Sequence, residues 1–186
     1  MIGYAFCGSF CTLTRSLAEL RRLTELGYEV QPIMSEKVYS LDTRFWRAEE
    51  LRREVAALCR REIIHTVIDA EPLGPKTPLD ALVVAPCTGN TLAKLASGIT
   101  DGAVTMAVKA HLRCDRPTLI ALASNDALSQ NLSNIATVLM RKSVYFVPMK
   151  QDDPASKPHS LIAEFSLIPE SLEAAIAGRQ LRPIFC

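Results

Sequence analysis

A cluster of small polar residues, Cys87-Thr88-Gly89-Asn90-Thr91, follows a short apolar run at residues 81–85. The run is too short for a helix and indicates a buried strand, which Pro86 is expected to end because proline cannot donate to a ladder. Apolar residues then recur at helical spacing from Leu92 to Ile99, so a helix is predicted after the polar turn. Such strand-to-helix turns bind ligands in open α/β sheets, and helix N-termini favour anions.

Three other polar turns follow predicted strands, namely Gly8-Ser9-Phe10, Ser35 and Ser124-Asn125-Asp126. Because parallel strands end at the same sheet edge, we expect all four turns to converge on one pocket. Their hydroxyls, amides and small residues suit a phosphate and a planar ring held by neutral donors. Three of the four turns also have a plainer interpretation: Ser35 as a helix cap, Asn90 as an Asx turn, and Phe10 as a core residue.

Strands and helices alternate along the chain, which predicts an α/β fold with a parallel sheet between two helical layers, in one domain over residues 1–186. Predicted strands cover residues 2–7, 28–34, 63–69, 81–85, 118–122 and, as the last strand, 144–147. Predicted helices cover residues 12–27, 43–61, 92–100, 103–113 and 132–141, and a C-terminal helix opens near Ser166 or Pro169. Phe45 is a candidate buried position on the second helix.

Composition narrows the possible partners. The net charge of +1 gives no reason to expect nucleic acid or an anionic membrane, and no apolar run approaches the roughly 20 residues of a membrane span. There is no basic segment of a signal peptide before the apolar start. Six cysteines without a CxxC pair and three histidines without zinc spacing indicate reduced thiols in a cytoplasm and no metal site.

Several side chains could take part in chemistry. Cys87 lies at a predicted helix N-terminus, which lowers a thiol pKa, so it is a candidate nucleophile; the alternative is a small residue that merely fits the turn. The chain has neither a lysine-bearing P-loop nor G-x-G-x-x-G, which argues against ATP and NAD(P). Cations that could hold a diacid, or simply be surface charge, are Lys109, Arg113, Lys150, Lys157 and His159.

The central stretch also carries a resemblance. Ala85-Pro86-x-Thr88-x-Asn90-Thr91-Leu92-Ala93-Lys94-Leu95-Ala96-x-Gly98-Ile99-x-Asp101 resembles the signature of the flavoprotein superfamily of homo-oligomeric, flavin-containing cysteine decarboxylases. Within it, residues 70–76, 86–90, 124–128 and 145–154 look most like the family of dipicolinate synthase B subunits. The resemblance implies a flavodoxin-like or Rossmann-like three-layer sandwich. It also implies a homo-oligomer built from trimers, with FMN between subunits, and small residues on the helices after Asn90 would permit close packing.

The resemblance also implies site residues. Carried over by position, the FMN-binding candidates are Gly8, Ser9, Phe10, Ser35, Pro86, Thr88, Gly89, Asn90, Thr91, Ser97 and Asn125. His65 corresponds to the decarboxylases' catalytic histidine, although a lone histidine on a buried strand is usually a satisfied core residue. The decarboxylases have Pro-Ala-Met-Asn where this chain has Leu122-Ala123-Ser124-Asn125, and their later cysteine motif has no counterpart here, so decarboxylation of a peptidyl cysteine is disfavoured.

For function, the resemblance implies a part in oxidising dihydrodipicolinate, a small dicarboxylate, to dipicolinate during sporulation. Because this chain lacks a dinucleotide fingerprint, NAD(P) is expected on a partner, the A subunit of the synthase. Two alternatives remain: a non-catalytic scaffold whose flavin site is empty, and an FMN-dependent decarboxylase. The late loop at residues 150–160 and the proline-rich loop at residues 71–78 are expected at the pocket mouth, or else are ordered surface loops.

Overall fold

Seven strands form one sheet in the computed structural model, which describes all residues from Met1 to Cys186. They are β1 (Ile2–Phe6), β2 (Val30–Met34), β3 (Leu82–Cys87), β4 (Thr118–Ser124), β5 (Val144–Phe146), β6 (Met149–Gln151) and β7 (Leu161–Ala163). The order β2-β1-β3-β4 is parallel throughout, and β5 pairs parallel to the first residues of β4. Beyond it, β7 pairs antiparallel to Ala123 and Ser124, and β6 pairs antiparallel to β7.

Eight helices cover the two faces of this mostly parallel sheet. They are α1 (Leu13–Glu25), α2 (Glu36–Ser40), α3 (Ala48–Cys59), α4 (Val67–Ala70), α5 (Gly89–Ser97), α6 (Ala103–Leu112), α7 (Leu132–Leu139) and α8 (Ile168–Ile176). Residues of α1, α3 and α8 join one buried apolar cluster, and residues of α4 to α7 join a second one. The three-layer α/β sandwich expected from the sequence is therefore confirmed. None of these helices combines the length and apolarity needed to cross a membrane.

The sequences of the central strands are continuous apolar runs, because both faces of these strands are buried. In β1, Tyr4 and Phe6 pack into the first cluster, whereas Ala5 packs into the second. The Tyr4 hydroxyl donates to the Ser16 carbonyl at 2.9 Å, and the Ser16 hydroxyl donates to the Ala85 carbonyl at 2.6 Å. These bonds tie α1 to β1 and β3, so the turns that follow both strands are held on a rigid base.

Several element boundaries differ from the sequence-based expectations, and four of the differences bear on the architecture. Strand β3 runs through Pro86 to Cys87, because the ladder with β4 shifts register between Val84 and Cys87 and does not need the missing N–H. Of residues 63–69, only Ile64 pairs with the sheet, and Thr66 instead caps α4. Helix α3 begins at Ala48 rather than residue 43. The strand at residues 144–147 is not the last, since the β6–β7 hairpin follows.

Candidate functional site

The four predicted turns meet at the carboxyl edge of the sheet. A main cavity of about 570 Å³ is lined by residues of three turns, at Gly8–Phe10, Thr88–Asn90 and Ser124–Asp126. A side cavity of about 300 Å³ is lined by the fourth, at Ser35, and shares Gly8, Thr88 and Asn90 with the main cavity. The arrangement follows from the topology, since β1, β2, β3 and β4 are parallel neighbours and each ends at one of these turns.

The side cavity lies where three helices begin. Ser35, Thr88 and Gly102 precede α2, α5 and α6, and all three residues line it. The Ser35 hydroxyl makes no cap bond, and its oxygen is buried with no hydrogen-bond partner. A buried polar group without a partner is unfavourable, so this hydroxyl is available to a ligand. Helix N-termini and a free hydroxyl together favour an anion.

Gly89 allows two turns of the site to pack closely. A Cβ at this position would lie 2.3 Å from Ser124 Oγ, 2.6 Å from Asn131 Nδ2 and 2.8 Å from Asp126 Oδ1. These three groups form a network, in which Ser124 and Asn131 each donate to one oxygen of the Asp126 carboxylate. The two hydrogen bonds lower the pKa of Asp126. The turn after β3 therefore packs against the turn after β4 with no room for a side chain.

Two side-chain amides of the main cavity are free, whereas Thr88 is engaged within the chain. The Thr88 hydroxyl accepts from the Thr91 amide at 3.1 Å, so Thr88 caps α5 and Asn90 is not needed for an Asx turn. The side-chain amides of Asn90 and Asn125 are exposed and form no hydrogen bond within the chain. Phe10 lines the cavity half-buried, with its inner edge against the first apolar cluster. Donors, acceptors and one aromatic surface are thus available to a ligand.

The sequence analysis missed the segment before α3. Arg44 and Phe45 line the main cavity, and Phe45 is 45% exposed instead of buried on a helix. The segment is a loop because Thr43 accepts from the amides of Phe45 and Trp46, each at 3.2 Å, and Asp42 accepts from the Ala48 amide at 2.9 Å. Asp42 and Thr43, which are turn and cap residues, were the signal that could have revealed this loop.

Cys87 is not the activated thiol that its position suggested. Its side chain is fully buried beside Cys7, and burial raises its pKa well above the usual value. Burial likewise raises the pKa of Cys7 to about 11. Desolvation therefore outweighs the helix N-terminus, and neither thiol lines the main or the side cavity. The exposed thiol at the site is Cys11, which lines the main cavity.

Three candidates lie away from both cavities. Pro86 is buried within β3, where its carbonyl accepts from the Cys7 amide at 3.2 Å. Ser97 is exposed in the last turn of α5, about 12 Å along the helix axis from its first residue. His65 is half-buried in a coil segment rather than on a strand, and its ring stacks on Tyr39 with a centroid distance of 3.6 Å. The structure does not bring them to the converging turns within one chain.

Of the two loops expected at the pocket mouth, the late loop lines the main cavity and the proline-rich loop does not. Asp152 and Ser160 of the late loop line the main cavity, whereas Lys150 and Lys157 are paired with Glu164 and Asp152 at 2.6 and 2.7 Å. The proline-rich loop lies on α6 instead: a Cβ on Gly74 would be 2.3 Å from the Ala110 carbonyl oxygen.

That contact places the proline-rich loop at the end of α6 nearest the start of β4, which is the opposite sheet edge. Lys109 and Arg113 belong to the same end of α6, and Arg113 pairs with Glu71 at 3.5 Å. A role for these two cations in binding a ligand at the converging turns is therefore ruled out within one chain. No group of three or more potential ligand side chains is arranged to hold a metal ion.

Comparison with known proteins agrees with this fold. The family model described as Flavoprotein matches residues 1–164. The chain therefore belongs to the flavoprotein family.

Within that family, the chain is 40% identical to the B subunit of dipicolinate synthase from Bacillus subtilis (strain 168), over 98% of this chain and 92% of the relative. The crystal structure of the B subunit of dipicolinate synthase from Bacillus halodurans matches with a TM-score of 0.92 and 39% identity, over 100% and 95% of the two chains. A dodecameric FMN-dependent UbiX-like decarboxylase from Escherichia coli O157:H7 matches with a TM-score of 0.62 and 25% identity, over 79% of each chain. The similarity to dipicolinate synthase B subunits expected from the sequence is thus confirmed.

Proposed function

We propose that this chain, as one flavoprotein-like unit over residues 1–186, is the B subunit of a dipicolinate synthase in the cytoplasm of a sporulating cell. The observation that carries the proposal is the similarity to B subunits over nearly the whole chain, with a TM-score of 0.92. In the reaction, dihydrodipicolinate loses a hydride and a proton, and the ring becomes aromatic. The hydride passes to NAD(P)+ on the nicotinamide-binding A subunit of the synthase, and this chain completes the site.

The residues at the converging turns fit FMN. The unpartnered Ser35 hydroxyl and the amides at the start of α5 and α6 suit the phosphate, with Gly8 and Thr88 beside them. The larger cavity, with Ser9, Phe10, Asn90 and Asn125, suits a planar ring held by neutral groups. When bound, a flavin supplies reversible hydride or electron transfer. The chain's own part is to hold it and to orient a substrate beside it.

Replacement of Asn90 by a bulky residue tests the proposed flavin site. Asn90 is exposed, lines both cavities and makes no hydrogen bond of its own, so Asn90→Trp should fill the site without unfolding the protein. We expect FMN affinity, followed by quenching of flavin fluorescence, to fall at least about tenfold, with the melting temperature within roughly 2 °C. Ser133→Trp, on the exposed face of α7, is the control. Unchanged FMN affinity in Asn90→Trp would contradict the site.

Reconstitution tests the reaction. Dipicolinate formation from the dihydro precursor is followed by ultraviolet absorbance with only this chain, with only the A subunit, and with the two mixed, each with oxidised nicotinamide cofactor. The proposal expects full activity only in the mixture. Full activity from the isolated A subunit would make this chain dispensable, and activity from this chain on its own would place the hydride acceptor here. An assay of carbon dioxide release by this chain on its own tests the decarboxylase alternative.

A homo-oligomer is part of the proposal, and the dodecameric UbiX-like decarboxylase from Escherichia coli O157:H7 supports it. Small residues on α6 do not form the interface, because Ala103, Ala107 and Ala110 are buried inside the chain. Exposed apolar side chains are better candidates for the interface between subunits. Ile99 follows α5 and is 47% exposed, and Met140 follows α7 and is 81% exposed; the two helices pack together. Light scattering at micromolar concentration should show an oligomer, and a monomer would contradict this.

A further inference from the structure

The main cavity is lined by one cation, Arg44, and this guanidinium has no partner of opposite charge in the chain. The two carboxylates that also line the cavity are occupied by internal partners. Asp152 accepts from Lys157 at 2.7 Å. Each oxygen of Asp126 accepts from its own donor, Ser124 or Asn131. Arg44 is thus the charged side chain of the cavity that makes neither a hydrogen bond nor an ion pair in the chain, and an anion is its complement.

The loop that carries Arg44 is held in place. Thr43 fixes the backbone of the next residues by two hydrogen bonds, and the indole of Trp46 donates to Thr14 on α1 at 3.3 Å. The guanidinium carbon of Arg44 lies 4.7 Å from the centre of the Phe45 ring, within the range of a cation–π contact. A guanidinium that is already oriented loses less freedom when it binds an anion.

Two aromatic rings add a preference for shape. Phe45 and Phe10 both line the main cavity, and both keep part of their ring surface uncovered. Aromatic surfaces favour planar ligands, because flat rings stack on them with little loss of conformational freedom. A guanidinium fork matches the two oxygens of a carboxylate, which is itself planar. The combination fits a flat ring that carries a carboxylate.

We propose that Arg44 and Phe45 form the substrate-recognition element of this site. Arg44 binds one carboxylate of a planar ring diacid, and Phe45 contacts the ring. The proposal rests on the proposed function, in which the substrate is such a diacid, and it adds the residues that select it.

The test measures binding, separately from activity. Pyridine-2,6-dicarboxylate is titrated into the FMN-loaded protein in buffer free of divalent cations, with calorimetry as the readout. Alkylation of Cys11 gives a second readout, because this exposed thiol lines the main cavity and a bound ligand should protect it; exposed Cys186 lines neither cavity and serves as the internal reference. Glutarate, a flexible diacid with the same number of atoms between its carboxylates, reports the preference for a flat ring.

Arg44→Gln should weaken pyridine-2,6-dicarboxylate binding about tenfold and shift the protection of Cys11 to about tenfold higher ligand concentration, whereas Arg44→Lys should lose less. Arg47→Gln is the matched control, since Arg47 has the same charge in the same segment, is paired with Asp42 at 3.7 Å and does not line the cavity. Phe45→Leu should reduce the advantage of the ring diacid over glutarate. FMN content should be unchanged in all four variants.

Three results would overturn the proposal: wild-type protein that does not bind the ring diacid, Arg44→Gln protein that binds it as well as wild type, or an equal loss in Arg44→Gln and Arg47→Gln. Failure of the proposed function is a separate result, because it is seen as absence of dipicolinate formation by the wild-type pair of subunits. If the two subunits form dipicolinate together, and Arg44→Gln changes neither that activity nor the affinity for the diacid, the recognition element is refuted and the proposed function is not.

Discussion

Gly89→Ala should destabilise the protein, although alanine is the better helix former. At a helical position the exchange of glycine for alanine contributes up to about 1 kcal/mol in favour of folding. Here the new Cβ would lie 2.3 Å from Ser124 Oγ and 2.8 Å from Asp126 Oδ1, so at least one of these groups must move. Moving it disturbs hydrogen bonds to a carboxylate, each contributing about 1.5–3 kcal/mol. The expected net loss is about 1–2 kcal/mol.

Urea denaturation measures this loss. A lower midpoint with an unchanged slope is expected, together with a melting temperature about 2–8 °C lower for a chain of this length. Gly102→Ala is the control, because its Cβ would have Thr105 Oγ1 at 3.9 Å as its nearest neighbour and its φ of −142° suits any residue. That variant should lose less, about 0.5 kcal/mol, because alanine is a poorer N-cap than glycine but its Cβ meets no neighbouring group.

A double variant identifies the cause. Ser124→Ala removes the atom nearest to the new Cβ, so Gly89→Ala combined with Ser124→Ala should lose less stability than the sum of the two single losses. Additive losses would mean that the clash is not with this network. A Gly89→Ala protein as stable as wild type would refute the reasoning altogether, because it would show that the two turns have room for a side chain.

Two further predictions concern titratable groups of the same region. Hydrogen bonds from Ser124 and Asn131 lower the pKa of Asp126 in the folded state, so its contribution to stability is present above the ordinary value of 3.8 and is lost as the pH falls through the lowered value. The urea midpoint of wild type should therefore exceed that of Asp126→Asn most at pH 5–6, and the gap should close at the acid end; a gap independent of pH would contradict this. Burial raises the pKa of the Cys87 thiol, and it raises the pKa of the Cys59 thiol to about 12. Iodoacetamide at neutral pH should therefore modify the exposed Cys11 and Cys186 and spare Cys87 and Cys59 until the protein unfolds. Peptide mass spectrometry checks this, and labelling of Cys87 at the rate of Cys11 would restore it as a candidate nucleophile.

Short-range sequence patterns predicted the main strands and helices, because in those segments the apolar spacing matches the residues that are buried in the structure. Four leucines at helical spacing form the buried face of α1, and Gly27 follows that helix with a φ of +89°. The convergence of the turns followed from strand direction alone. Residues 63–69 were mistaken for a strand because their β-branched residues outweighed Thr66, a capping residue whose hydroxyl accepts from the Asp69 amide at 3.1 Å.

Other features depend on contacts that no local pattern reveals. The strands β6 and β7 have three residues each, too few for a periodic signal. Whether Cys87 is activated depends on burial beside Cys7, which is distant in sequence. The place of Arg44 at the main cavity depends on how the loop before α3 lies against α1. Sequence reasoning therefore located the converging turns but not the charged side chain that lines them.

Strand β4 pairs with different strands at its two ends. This separates the parallel sheet, which supports the turns, from the loop at the entrance of the main cavity. The first residues of β4 pair with β5 inside the parallel sheet, and its last two pair with β7 of the antiparallel hairpin. The loop of that hairpin begins at Asp152 and ends at Ser160, which both line the main cavity. Loop tips accept insertions and deletions far more readily than sheets do. A change in the length of this one loop would therefore alter the entrance of the main cavity and leave the converging turns on the parallel sheet in place.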